Sequence, residues 1–432
     1  MNAVLIVAGA STRFWPLTEK PLFPICGRSL VEHQVARLRS GGFDALIIVA
    51  AEENVSTLQT LFPDAKVVAQ TRPACGMREA FLDALPLCGD EPVLLTHGND
   101  VVEPATYRSV RERLERGDCD GVILAKKTKK YFPGGYLTME KDRVTGIVEK
   151  PGEGNEPSDL VSIVVHAFKS PKTLLEALTK EKDGDDAYER AVTKLCATQN
   201  IAAVATEVWH AVKYPWHLLG VLELLLEEID RPVIHPSAKI HPSAVIEGNV
   251  IIGPEARVLH HATVIGPSVI GAHAVIGTGA LVRGSSIADH CVIGYATEVK
   301  SSVLCPHVWT HSTYIGDSVI GENVAFGSGS VIANFRLDEQ DIYSTVKNDR
   351  ISTQRTKMGA VIGANSRLGI RTSLHPGVKV GAGSFVNGGV MLDRDVPDGS
   401  FVTNGPEGIL VRKNRTSAPK APARNQYRNT IV

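Results

Sequence analysis

The sequence predicts two machines in one chain. The first is an α/β domain with a mixed, mostly parallel sheet, and the second is a left-handed parallel β-helix. Three observations carry that expectation. Nine β-branched residues recur six apart from Ile234 to Val282. Strand-like and helix-like segments alternate through the first half. A Leu-rich helical pattern over Pro215–Ile229, stopped by Arg231-Pro232, separates the halves near residue 230.

In the first half, residues 3–8 read as a continuous apolar strand, as do Ala45–Ala50, Val67–Ala69, Val93–Thr96, Gly121–Ala125 and Ser162–Phe168. Helical patterns fall between them at Ser29–Arg39, Arg78–Leu87, Tyr107–Glu115 and Ala187–Cys196. The first of these stops at Gly41-Gly42. Alternation of this kind builds a sheet covered on both faces, and ligands in such sheets gather at the carboxyl ends of the strands.

In the second half the branched residues are Ile234, Ile240, Ile246, Ile252, Val258, Val264, Ile270, Ile276 and Val282. Neither a helix nor an alternating strand repeats every six residues, so the pattern marks a repeat architecture. Small residues such as Ala238, Ala256, Ala262 and Ala274 precede the branched ones by two. The rhythm resumes at Ile287, Ile293 and Val299, and again from Ile362 to Leu392. Three hexads close one triangular coil, and coils stack about 4.8 Å apart. Branched side chains should fill the prism, with small ones near its corners. Residues 333–358 break the rhythm with polar sequence and are expected to form a loop thrown outward. The expected domains are therefore 1–230, 231–402 with that inserted loop, and a basic, flexible tail at 403–432. Flat prism faces bury one another well, so a homotrimer is expected.

Composition excludes several classes. A net charge of −1 over 432 residues gives no global field toward nucleic acid or a membrane. Seven cysteines without a C-x-x-C pair argue against a disulfide framework or zinc cluster and favour a reducing cytoplasm. The opening Val4–Ala8 run lacks a basic lead-in, so it reads as a strand rather than a signal core. No apolar run is long enough to span a bilayer, so no membrane insertion is expected.

The chemistry signal follows the first strand. Gly9-Ala10-Ser11-Thr12-Arg13 is a small-residue turn whose backbone N–H groups can approach phosphate oxygens, with Arg13 adding charge-assisted donors. No Gly-Lys-Ser/Thr follows, so it is not a Walker loop. The longer string from Leu5 to Ile25 resembles the opening of the sugar-1-phosphate nucleotidylyltransferases, with Arg13, Pro16-Leu17-Thr18 and Lys20-Pro21-Leu22-Phe23-Pro24 as its markers. Further matches lie downstream in family order at Gln70, Gly76, Gly98-Asn99-Asp100, Gly135-Tyr136 and Glu149-Lys150-Pro151.

That resemblance implies a Rossmann-like nucleotidyltransferase domain that joins a nucleoside triphosphate to a sugar 1-phosphate. Ala8, Gly9, Ser11 and Thr12 would hold the nucleotide, with Gln70 and Gly76 at the base. Arg13 and Lys20 would stabilise phosphate charge, and Asp100 would bind Mg²⁺. Tyr136 and Glu149 would face the sugar and Lys150 its phosphate. The chain departs from the pattern at Ser11, at the short spacing before Lys20, at Asn99, and at Ala211, where the family commonly has aspartate. Either another oxygen ligand completes the metal site, or this half is slow or inactive.

Within the hexads lie Lys300, His311, Tyr314, Asp317 and Asn334. Their order resembles the acetyltransferase domain of GlmU-type bifunctional enzymes and their archaeal relatives. The resemblance implies His311 as general base for transfer from acetyl-CoA to an amino-sugar phosphate, since an imidazole can take a proton near neutrality. Lys300 would bind the acceptor's phosphate, Tyr314 and Asn334 its sugar, and coenzyme A would lie near Leu368–Gly377. The sequence favours both activities. Two alternatives stand beside that reading: a nucleotidylyltransferase with a purely structural prism, and a regulatory subunit that binds nucleotide sugars.

Overall fold

A computed structural model describes residues 1–9 and 11–431. Two compact units emerge, and they do not follow chain order. Residues 1–9 and 31–211 form one, while residues 11–30 and 212–431 form the other.

The first unit is built on a nine-stranded sheet. One half runs parallel, in the order Lys66–Ala69, Leu46–Ala50, Asn2–Ile6, Val93–His97. The long strand Leu160–Phe168 then lies antiparallel to both of its neighbours, Val93–His97 and Gly121–Lys127. Beyond Gly121–Lys127 come Ile201–Ala205, Arg143–Glu149 and Gly135–Glu140. The inner strands are continuous runs of buried Val, Ile, Leu and Ala, as a sheet covered on both faces requires. Helices cover it with periodic apolar stripes, as in Ala187–Cys196, which buries Ala187, Tyr188, Ala191, Val192 and Leu195. The helix Pro171–Thr179 shows how sequence sets a boundary. Ser170 accepts from the Thr173 amide at 3.2 Å and Pro171 opens the first turn, a cap of about 1 kcal/mol. A separate antiparallel pair joins Asp100–Val102 to Trp209–Ala211.

The second unit is a parallel β-helix. Its strands stack into three sheets, and partners lie 18 residues apart in the early coils, as in Ile234↔Ile252↔Ile270. The branched hexad residues form a single core, from Ile252 through Leu304 and Ile362 to Val402. The small residues two places earlier share that interior rather than lining only the corners: Ala256, Ala262, Ala274 and Ala280 are all buried in it. The first coil departs from the expectation of a filled prism. Ile234 is 45% exposed, because nothing stacks below the terminal coil.

Residues 333–358 carry a hairpin, Tyr343–Val346 with Asp349–Ser352. The segment expected as a flexible tail, 403–432, carries secondary structure. Ser400–Gly405 and Gly408–Lys413 pair as a hairpin that extends one prism face. Past it, Ala421–Arg424 and Asn425–Asn429 form short helical turns. Prism side chains satisfy their carbonyls. Arg257 donates to Arg428 O at 2.6 Å and Ile431 O at 2.7 Å, and Asn323 donates to Pro419 O at 2.9 Å. No helix among the described residues is long and apolar enough to cross a membrane. All seven cysteines are free thiols.

Candidate functional site

Ala8 is buried at the opening strand's carboxyl end and Gly9 is exposed. Ala10 lies outside the described residues. Ser11 adopts a left-handed conformation with φ of 50°, and Thr12–Phe14 make a 3₁₀ turn that leaves Thr12 and Arg13 exposed. Lys20 differs from them. It is buried, and its ammonium donates to the Val212 carbonyl at 3.3 Å.

In the first unit, Gly98 opens the turn after Val93–His97. A Cβ there would lie 2.7 Å from Val7 Cγ1 and 3.2 Å from Ile6 O, so only glycine permits this approach. Gln34, which sequence reasoning missed, holds the same turn, donating to Gly98 O at 3.3 Å and Asp100 O at 2.9 Å. Asp100 Oδ1 accepts from the Trp209 indole at 2.8 Å. Across the strand pair, Asp100 stands in register with Ala211. The residue type missing from the sequence pattern is therefore missing directly opposite the candidate ligand. No group of three or more His, Cys, Asp or Glu among the described residues is arranged to hold a metal ion. One hard carboxylate oxygen fits magnesium when substrate phosphates and water complete the octahedron.

Gln70 and Gly76 meet, with Gln70 Nε2 donating to Gly76 O at 2.7 Å. Tyr136 is buried, and its hydroxyl accepts from the Phe132 amide at 2.7 Å. Glu149 and Lys150 adjoin, with Lys150 Nζ 3.2 Å from Glu149 Oε1 and 2.9 Å from Asp185 Oδ2. Asp185, then Glu149, hold the Lys150 ammonium above its ordinary range. A 220 Å³ cavity beside them is lined by Glu149, Asp186, Glu189 and Thr193 among others. Burial pushes the Glu189 carboxyl up to about 7, and the nearby carboxylates of Glu149, Asp185 and Asp186 add to the effect. No sequence motif singles out Glu189.

In the β-helix, successive coils bring Lys300, Tyr314, Asp317 and Asn334 together. Asp317 is 4% exposed and accepts from Lys300 Nζ at 3.2 Å and Asn334 Nδ2 at 2.5 Å. Gly316 makes room for the cluster, since a Cβ there would lie 2.6 Å from Tyr314 Oη and 2.7 Å from Asn334 Nδ2. Burial, followed by the charges of Glu298 and Asp317, raises the Tyr314 hydroxyl above its usual range, so it stays a neutral hydrogen-bonding group. His311 occupies an exposed corner before the strand Tyr314–Gly316. It lines a 390 Å³ cavity with Trp309, Phe326, Arg424 and Tyr427. The sequence grouped it with Lys300 and Asn334; the structure joins those two through Asp317 and sets His311 beside the C-terminal segment.

A family model described as nucleotidyl transferase matches residues 2–227, and one described as the GMPPB C-terminal domain matches residues 229–351. The chain is 28% identical over 436 residues to a bifunctional protein GlmU from Methanococcus vannielii, covering 96% of this chain and 100% of that one. It is 28% identical over 419 residues to a bifunctional sugar-1-phosphate nucleotidylyltransferase/acetyltransferase from Sulfurisphaera tokodaii, covering 93% and 99% of the two. Among solved structures, a UDP-glucose pyrophosphorylase from Acinetobacter baumanii aligns with a TM-score of 0.45 at 20% identity, over 53% of this chain and 94% of that one.

Proposed function

Because the chain belongs to the nucleotidyl transferase family, we propose that it makes a nucleotide sugar from a nucleoside triphosphate and a sugar 1-phosphate, and that its β-helix acetylates an amino-sugar phosphate. The observation that carries the second activity is the Lys300–Asp317–Asn334 cluster beside Tyr314, a half-buried polar set centred on buried Asp317. Relatives matched end to end and named for two activities support the same pairing.

In the first reaction an oxygen of the sugar 1-phosphate attacks the α-phosphorus of the triphosphate, and diphosphate leaves. Such chemistry needs alignment and charge neutralisation more than a proton shuttle. Ala8, Gly9, Ser11 and Thr12 offer backbone donors to phosphate oxygens, and Arg13 and Lys20 oppose their charge. Gln70 and Gly76 face the base. Tyr136 and Glu149 take the sugar, and Lys150 its phosphate. Asp100 would hold Mg²⁺, which supplies electrostatic stabilisation at the phosphates.

In the second reaction the acceptor's amine attacks the thioester carbonyl of acetyl-CoA. His311 takes the amine's proton and the thiol of coenzyme A leaves. Lys300 binds the acceptor's phosphate, while Tyr314 and Asn334 orient its ring. Domain boundaries at 230 and 402, a homotrimer and a cytoplasmic location belong to the same reading. Exposed Tyr295, Val331, Ile370 and Met391 on the prism fit the trimer.

Ala211 opposite Asp100 favours a second reading, a nucleotide-sugar-binding subunit without the first activity. Pyrophosphate release, screened over nucleoside triphosphates and sugar 1-phosphates with Mg²⁺, separates the two. Release is expected with at least one pair, and none with any pair leaves the binding subunit. Thiol release from acetyl-CoA with glucosamine 1-phosphate or galactosamine 1-phosphate tests the second site. Equal rates for wild type and His311→Ala would remove His311 as the base.

A further inference from the structure

Trp15 lies two residues after Arg13, and prism side chains hold it from two directions. Its indole Nε1 donates to Asp398 Oδ1 at 3.0 Å and Oδ2 at 3.1 Å. The Lys379 ammonium lies 4.6 Å from the centre of its ring. Each partner has a second anchor in the prism, although Asp398 is exposed. Asp398 Oδ1 also accepts from the Ala382 amide at 2.7 Å, which pins the carboxylate to the prism backbone. Lys379 is 3% exposed, paired with Asp395 at 3.3 Å and bonded to the Thr345 carbonyl. Further along the same segment, the Cys26 amide donates to Ser286 Oγ at 2.8 Å.

Residues 11–30 are thus clasped by the prism near both ends, while Thr12 and Arg13 remain exposed between strand and clasp. An exposed carboxylate held by the prism backbone and a buried ammonium on one indole restrict its position more tightly than apolar packing alone, because both contacts are directional. Phosphoryl transfer is sensitive to such restriction, since a shift of about 1 Å in a positioning group can cost on the order of a hundredfold in rate.

We propose that Asp398 and Lys379, nearly four hundred residues along the chain, are positioning residues for the nucleotidyl transfer, acting through Trp15 on the turn that presents Thr12 and Arg13 to the triphosphate. The proposal rests on the reading that Arg13 contacts phosphate. It gives Asp398 and Lys379 a task that prism filling does not require.

The test compares four variants of the full chain by pyrophosphate release, thiol release and thermal unfolding. Asp398→Ala and Trp15→Phe are expected to lower kcat for nucleotidyl transfer about ten- to a hundredfold, with KM for the sugar 1-phosphate, thiol release and the unfolding midpoint unchanged. Trp15→Phe keeps a ring under Lys379 and removes only the donor, so it covers the case in which Asp398→Ala fails to fold. Asp398→Asn retains an acceptor for the indole and is expected to restore at least half the rate. Wild-type kcat in both Asp398→Ala and Trp15→Phe would overturn the proposal, as would parallel loss of both activities and of the unfolding midpoint. Arg13→Ala separates the two layers. If it loses nucleotidyl transfer while the clasp variants do not, only the positioning claim falls. If it has no effect, the phosphate reading falls, and this claim with it.

Discussion

Asp100 and Ala211 face each other across an antiparallel pair, so the chain offers one carboxylate where two would fit. The geometry predicts a gain from Ala211→Asp. A second carboxylate opposite Asp100 should lower the Mg²⁺ concentration for half-maximal pyrophosphate release by on the order of tenfold. A titration of the rate against Mg²⁺ reads this, and an unchanged midpoint would mean that Ala211 does not border the metal. The missing aspartate was legible in the sequence because a tryptophan marks the place; that Trp209 itself donates to Asp100 was not. Nor was Gln34, since nothing in spacing ties residue 34 to the turn at 98–100, and only the fold brings its amide there. Short motifs report residues that touch substrate, whereas residues that hold those residues leave no local pattern.

The C-terminal segment illustrates the same limit at the scale of an element. Six basic side chains and no acid from Arg412 onward suggested a solvated tail. Composition cannot show that prism groups wait to receive the segment's carbonyls, or that Arg428 bonds the Nδ1 of His290. His290 sits in a ladder, its ring 4.9 Å from that of His273 and 4.8 Å from that of His307, each nearly parallel. Burial first, then Arg428 and the neighbouring imidazoles, holds His290 below its usual value, against Asp289; burial lowers His307, against Glu322 and Asp289. A histidine with a depressed folded value binds fewer protons folded than unfolded. Its contribution is therefore full above the unfolded value of about 6.5 and lost as the pH falls. Protonated His290 also cannot accept from Arg428. Hydrogen exchange over residues 419–431, corrected for the chemical rate, should rise between about pH 7.5 and pH 5.5. In His290→Asn, which accepts but does not titrate, that rise should shrink. A pH-independent segment in the native chain would contradict the account. The hexads, by contrast, were readable because each repeat buries the same position against the same neighbour above and below. The exception, exposed Ile234, belongs to the coil that has only one neighbour.

For the whole molecule, the order of the sequence suggests two machines joined near residue 230. In the folded chain, residues 11–30 group with the prism. The sequence could not show this, because Trp15 and Asp398 are 383 positions apart and neither lies in a recognisable pair. A chain ending at residue 230 loses every prism partner of that segment. Its nucleotidyl transfer should fall at least about tenfold below that of the full chain, even where circular dichroism reports folded α/β structure. Full activity in the short chain would mean that the segment holds its place unaided.

Two chemistries in one chain is the central claim, and a single purified sample tests it most directly. Pyrophosphate release with a nucleoside triphosphate and a sugar 1-phosphate is measured beside thiol release from acetyl-CoA with an amino-sugar phosphate, in wild type, Asp100→Asn and His311→Ala. The account predicts both signals in wild type. Asp100→Asn should lose only the first, and His311→Ala should lose about a hundred- to ten-thousandfold of the second alone. One signal absent from the wild type under every substrate pairing, or both lost together in either variant, would contradict it.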